Sequence, residues 1–188
     1  MFKRHYYTPP YILISYIVLL LIFSGCLSIK PSASKSGKKY FETFYVGEEG
    51  TQYFIKPISF IDENLYEELS IDITFRYRNI IKDSAIVNFS IRSSDIYKNV
   101  DTFKLSNKKI EIQTDRVELI YNEKNNKGYI SRHSTKVSLN ELKELFNNDD
   151  WLITVENSSK ITNYKANRKT IRVINTIRDR VFILMWTD

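Results

Sequence analysis

Ten residues near the middle of the chain constrain the fold more than any others. From Leu69 to Arg78, Leu69, Ile71, Ile73, Phe75 and Tyr77 alternate with Ser70, Asp72, Thr74, Arg76 and Arg78. Successive side chains of a strand point to opposite faces, so the segment predicts a strand with one dry face and one wet face. That is the pattern of an antiparallel sheet covered on one side only. Ala85–Arg92 repeats it with Val87, Phe89 and Ile91 inward, and the Asn79–Ser84 connection is short enough to make the two an antiparallel hairpin.

Weaker signals extend the sheet. Gln52–Phe60 is apolar and aromatic but contains Pro57, which lacks an N–H and suits an edge or a bulge. Lys109–Gln113 and Arg116–Asn122 read as strands, and the turn Asn125-Asn126-Lys127-Gly128 feeds another over Tyr129–Val137. Trp151–Glu156 and Lys160–Tyr164 form a hairpin-like pair around Asn157-Ser158-Ser159. Ser138 with Glu141 three residues on is a capping-box pattern, and Leu139, Leu142, Leu145 and Phe146 share the face of a helix over 139–147. A final helix is expected over 167–186. Ile171, Val173, Ile174, Ile177, Val181, Phe182, Leu184 and Met185 fill one side of its wheel, Arg178 and Ile183 break the pattern, and 181–186 could also be read as a buried strand.

The first 26 residues follow a different rule. Lys3 and Arg4 give a positive start, Tyr11–Phe23 is apolar apart from Ser15, and small residues precede Cys26. A membrane-crossing helix needs about 20 apolar residues. The 13 of Tyr11–Phe23, stopped upstream by Pro9-Pro10, suit a secretory signal instead. Ile22-Phe23-Ser24-Gly25-Cys26 resembles a bacterial lipobox, with Phe23 where Leu is usual. The resemblance covers the signal alone. It implies a diacylglyceryl group on the Cys26 thiol, cleavage just before that cysteine and acylation of the new amine. Several acyl chains hold a protein stably on a membrane, at about 0.8 kcal/mol per buried methylene. Cys26 is the single cysteine of the chain, so an intrachain disulfide framework and a cysteine-rich metal site are excluded.

Leu27–Lys39 carries Ser28, Ser32, Ser34 and Ser36, one Pro, one Gly and four lysines, and reads as a flexible tether able to reach about 45 Å. Lys30, Lys35, Lys38 and Lys39 suit an anionic lipid surface. Some Gram-negative lipoproteins carry acids just after the cysteine as a surface-export signal. None occurs here before Glu42, which favours the periplasmic face, with the outer membrane the expected site.

The chemistry-bearing residues are few. His133 is the sole histidine outside the signal, and it shares a strand face with Ser131 and Thr135. It is expected to be an exposed strand histidine rather than a catalytic base. Asp62-Glu63 and Glu67-Glu68 are expected to solvate a loop or turn, and Asp149-Asp150 to follow the short helix. Lys160, Lys165, Arg168, Lys169, Arg172, Arg178 and Arg180 face Asp179 alone, a run that reads as a solvated face or as a seat for an anionic lipid, glycan phosphate or acidic protein. Export argues against nucleic acid as a partner. Tyr53, Phe54, Tyr77 and Tyr97 are expected to pack in strands rather than to line a sugar site. No metal-spaced set and no phosphate loop is present, so no cofactor is expected.

These readings divide the chain into a signal peptide over 1–25, a lipidated cysteine and tether over 26–39, and one α+β domain over 40–188. The domain is expected to be mainly antiparallel β-sheet packed by a C-terminal amphipathic helix. The expected role is a cell-envelope lipoprotein that binds or scaffolds an envelope component without catalysis. The alternatives are a carboxylate-based hydrolase of wall or glycan and an inhibitor or immunity-type lipoprotein.

Overall fold

The computed structural model describes residues 39–62, 64, 67–78, 84–158 and 160–185. The expected signal peptide, Cys26, the expected tether up to Lys38, and Glu63 lie outside the described residues.

Among the described residues, ten strands form one antiparallel sheet curled as a half-barrel, with a helical segment at the C-terminal end. They are β1 (Phe41–Tyr45), β2 (Thr51–Ile61), β3 (Glu68–Tyr77), β4 (Ser84–Ser93), β5 (Thr102–Ser106), β6 (Glu111–Gln113), β7 (Glu118–Asn125), β8 (Gly128–Ser138), β9 (Leu152–Asn157) and β10 (Lys160–Lys165). The spatial order is β6-β5-β9-β10-β2-β3-β4-β8-β7, with β1 on β2. Helix α1 is Leu139–Leu145 and α2 is Arg168–Ile177.

The alternation at 69–78 behaves as expected. Leu69, Ile71, Ile73 and Phe75 are buried, and across the ladder they meet Ile91, Phe89, Val87 and neighbouring residues of β4. Tyr77 is only half-buried. Rings close the interior across the curl: Phe89 stacks on Phe103 at 4.0 Å, and Phe146 on Phe182 at 4.3 Å. Trp151 lies between Phe60 and Phe146.

Pro57 sits in an interior strand, not at an edge. The register of β2 on β3 shifts between Ile55 and Ile58. On the other side of β2, pairing with β1 ends at Ile55 and pairing with β10 is confined to Ile61. The residue without an N–H falls in that gap, where no ladder bond is lost. Gly128 opens β8 at φ +132°, where a Cβ would stand 2.2 Å from the Ser93 carbonyl oxygen. Only glycine admits both the conformation and the approach of β4.

Three expectations need correction. Ser138 precedes α1 but makes no capping hydrogen bond through its side chain. It is still the last residue of β8, paired with Ser84, so the strand dictates its backbone. The final helix is not continuous. After α2 the chain widens into a π turn over Arg178–Phe182 and then tightens into a 3₁₀ turn over Ile183–Met185. An i→i+5 turn shifts every later residue around the axis, so Val181, Phe182 and Met185 are buried while Leu184 is 62% exposed. The strand alternative for this stretch is thereby excluded through Met185. The start of α2 is capped by Asn167, whose Oδ1 accepts from the backbone N–H of Lys169 and Thr170. The Thr170 hydroxyl ties the same turn to the Ser59 carbonyl of β2. The third correction concerns His133, Glu67 and Asp62, all of which are buried.

Candidate ligand site on the inner face of the sheet

Glu67, just before β3, is 4% exposed. The expectation that it solvates a turn is wrong, because four donors converge on it. Ser93 Oγ at 2.7 Å and Lys160 Nζ at 2.8 Å donate to Oε1. Tyr97 OH and Tyr164 OH, each at 2.8 Å, donate to Oε2. Two bonds per oxygen match the lone pairs of a carboxylate. Burial alone would raise the Glu67 pKa, but these bonds together hold it below the ordinary value, so the group is ionised. Tyr97 spends its proton on Glu67, so Thr162 Oγ1 at 3.3 Å donates to the Tyr97 oxygen. Burial, with the Glu67 charge and Tyr97 close by, pushes the Tyr164 phenol pKa up. Lys160 therefore leaves the run of basic residues expected to be solvated: it pairs with Glu67 and lies over the Tyr97 ring at 5.7 Å.

The loop after β4 is laid on the inner face by a second bond, from the Tyr97 N–H to Ser131 Oγ of β8 at 3.1 Å. Beside it lies His133, 1% exposed and stacked on Phe89 at 5.1 Å. Both ring nitrogens are shut off from solvent and neither makes a well-formed hydrogen bond. Burial pushes the imidazole pKa down to about 4, and the nearby backbone of Tyr97 and Ser131 opposes this only in part, so the ring is neutral at pH 7. An unpartnered buried polar group costs about 1–3 kcal/mol. This one lines the floor of an open cleft of about 440 Å³, walled by Lys98, Asn99 and Val100 on one side and Arg116–Leu119 on the other. A smaller cleft of about 250 Å³ shares Arg116 and Glu118.

The outer face carries a groove of about 540 Å³ between Phe44, Phe54 and Pro57. It brings two carboxylates together, each tied to a cation. Glu42 pairs with Lys56 at 2.7 Å, and Asp72 with Arg132 at 2.7 Å. Asp149 and Asp150 are not brought together with other acids. Asp149 accepts from Asn175 and Asp150 faces Lys108. Among the described residues no group of three or more His, Cys, Asp or Glu could hold a metal ion. Tyr53 stacks on Phe75 as expected, while Phe54 is half-exposed against Phe44.

Comparison of the chain with protein-family models, curated proteins and solved structures finds no match.

Sequence reasoning missed Glu67, Lys98 and Arg116. For Glu67 the signal was available, since it stands two residues before Leu69 and shares its dry face. For His133 the parity with Val137 pointed inward too, but a row of Ser, His and Thr reads as polar.

Proposed function

We propose that this chain is a lipid-anchored cell-envelope protein whose β domain binds another envelope component and performs no chemistry on it. The observation that carries the binding half is the cleft over His133. A general base is held by a second group and aimed at a proton within hydrogen-bond reach. The His133 nitrogens meet neither a carboxylate nor a hydroxyl and are shut off from solvent, so nothing aims the ring at a proton, and the cleft above it is left to hold a partner. The anchoring half is supported by the lipobox-like Ile22–Cys26 and by the lysine-bearing tether, and the periplasmic face of the outer membrane is its expected place. In this reading the C-terminal helical segment is an amphipathic cover packed on the sheet, supported by the burial of Val173, Ile174, Ile177, Val181 and Phe182.

Two experiments test the halves separately. Cys26→Ala should release the protein from the membrane fraction, abolish incorporation of labelled fatty acid, and change the intact mass of the mature chain by the missing acyl groups. A variant that pellets unchanged with its first residues intact overturns the anchor. A photoreactive residue at Asn99, in the cleft wall, should crosslink in growing cells to an envelope component. Crosslinking no stronger than from Lys127, in the β7–β8 turn, overturns the binding role.

A further inference from the structure

We propose that the cleft over His133 seats an oxyanion, a carboxylate or phosphate group, between Lys98 and Arg116. The inference rests on the binding reading above and names the chemistry of what is bound. The floor is the buried ring of His133, stacked on Phe89, with both nitrogens shut off from solvent. The walls supply two cations, Lys98 and Arg116, against one carboxylate, Glu118, which leaves a positive balance in the cleft. The guanidinium of Arg116 is a planar fork that matches two oxygens of a carboxylate or phosphate. Glu118 adds a constraint. It repels a second negative charge and accepts from a hydroxyl or ammonium elsewhere on the same molecule. The expected ligand therefore carries one oxyanion and a donor near it, within a volume at the small end of ligand sites.

The test uses the ¹⁵N-labelled full-length protein in non-ionic detergent. The ring nitrogens of His133 are identified by their loss in His133→Gln. Acetate, inorganic phosphate, short-chain phosphatidic acid and glucose are titrated separately at constant ionic strength. Acetate or phosphate should shift the His133 ring signals saturably. The double variant Lys98→Ala/Arg116→Ala should weaken that binding by roughly tenfold or more with an unchanged unfolding midpoint. Phosphatidic acid binding tighter than phosphate points to a lipid headgroup, and the reverse points to a soluble anion. Saturation by glucose alone overturns the oxyanion but leaves the binding reading standing. Saturation by anions that survives in the double variant overturns the seat between Lys98 and Arg116. Signals that follow none of the four probes mean a cleft filled with water only, and overturn both.

Discussion

The two sides of β2 are held in different ways. Against β3 it makes a ladder nine residue pairs long, broken once by the bulge at Pro57, and β3, β4 and β8 continue in the same manner. Against β10 it shares a single register pair, Lys165 with Ile61. The sheet is thus two leaves, β6-β5-β9-β10 and β2-β3-β4-β8-β7, with little main-chain bonding at their junction. The Glu67 cluster spans that junction. Lys160, Thr162 and Tyr164 come from one leaf, Glu67 and Ser93 from the other, and Tyr97 from the loop that crosses between them. Where the ladder thins, a buried charge with a full set of donors takes over the connection. Such a cluster is more brittle than a ladder, because loss of one member leaves the rest buried without partners.

The comparison breaks most readily at Glu67. Glu67→Ala strands an ammonium and three hydroxyls, and should cost about 3–5 kcal/mol in denaturant unfolding. Hydrogen exchange should show β10 losing protection before β3. Equal loss in both strands would mean the junction is not the weak line. Acidification sharpens the picture next. Below about pH 6.5 the unfolded chain binds a proton at His133 that the folded chain refuses until about pH 4. Stability should therefore fall across that window by up to ~3 kcal/mol. His133→Phe should flatten this decline. The Glu67 contribution has a different cause: hydrogen bonds to the ionised carboxylate, rather than burial, lower its folded pKa, so its stabilisation is present above about pH 4.5 and drains as pH falls through the folded value. Glu67→Gln should keep the first decline and lose the second, and a melt series from pH 7 to pH 3 separates them. The smallest effect belongs to the outer face. Asp72→Ala removes a half-buried pair with Arg132 over an intact ladder and should cost about 1 kcal/mol. A cost matching that of Glu67→Ala would erase the distinction between seam and ladder.

What could be read from the residues follows the same division. Segments 69–78 and 85–92 were legible because their inward positions are apolar and their outward ones polar with the single exception of Ile86, so register had one solution. The hairpin of β9 and β10 was legible from its Asn-Ser turn. β5 was not, since Phe103 and Leu105 are its whole dry face. β1 carries no alternation and is mostly exposed, so nothing in its composition marks it. The break after Ile177 was visible only as Arg178 and Ile183 falling off the wheel, without a reason for it. The Glu67 cluster joins residues 26 to 97 positions apart, and a lone carboxylate beside another reads as solvent-facing until its partners are brought to it. The His133 cleft was hidden for the same reason, as its walls come from the loop after β4 and from the run into β7, neither of which carries a motif.

Among the described residues the half-barrel leaves strand edges open, and the longest of its edge strands is β7. Its outward backbone groups offer a ready template for another strand, and Leu119, Ile120 and Tyr121 are all substantially exposed beside them. Two devices blunt that template. The register on β8 jumps between Leu119 and Tyr121, so Ile120 bends the strand out of line. Glu118, Glu123 and Lys124 place charge along the remainder. Crowded on a surface beside its own copies, a molecule built this way should stay dispersed, and straightening the kink at Ile120 is the change that would make it stick.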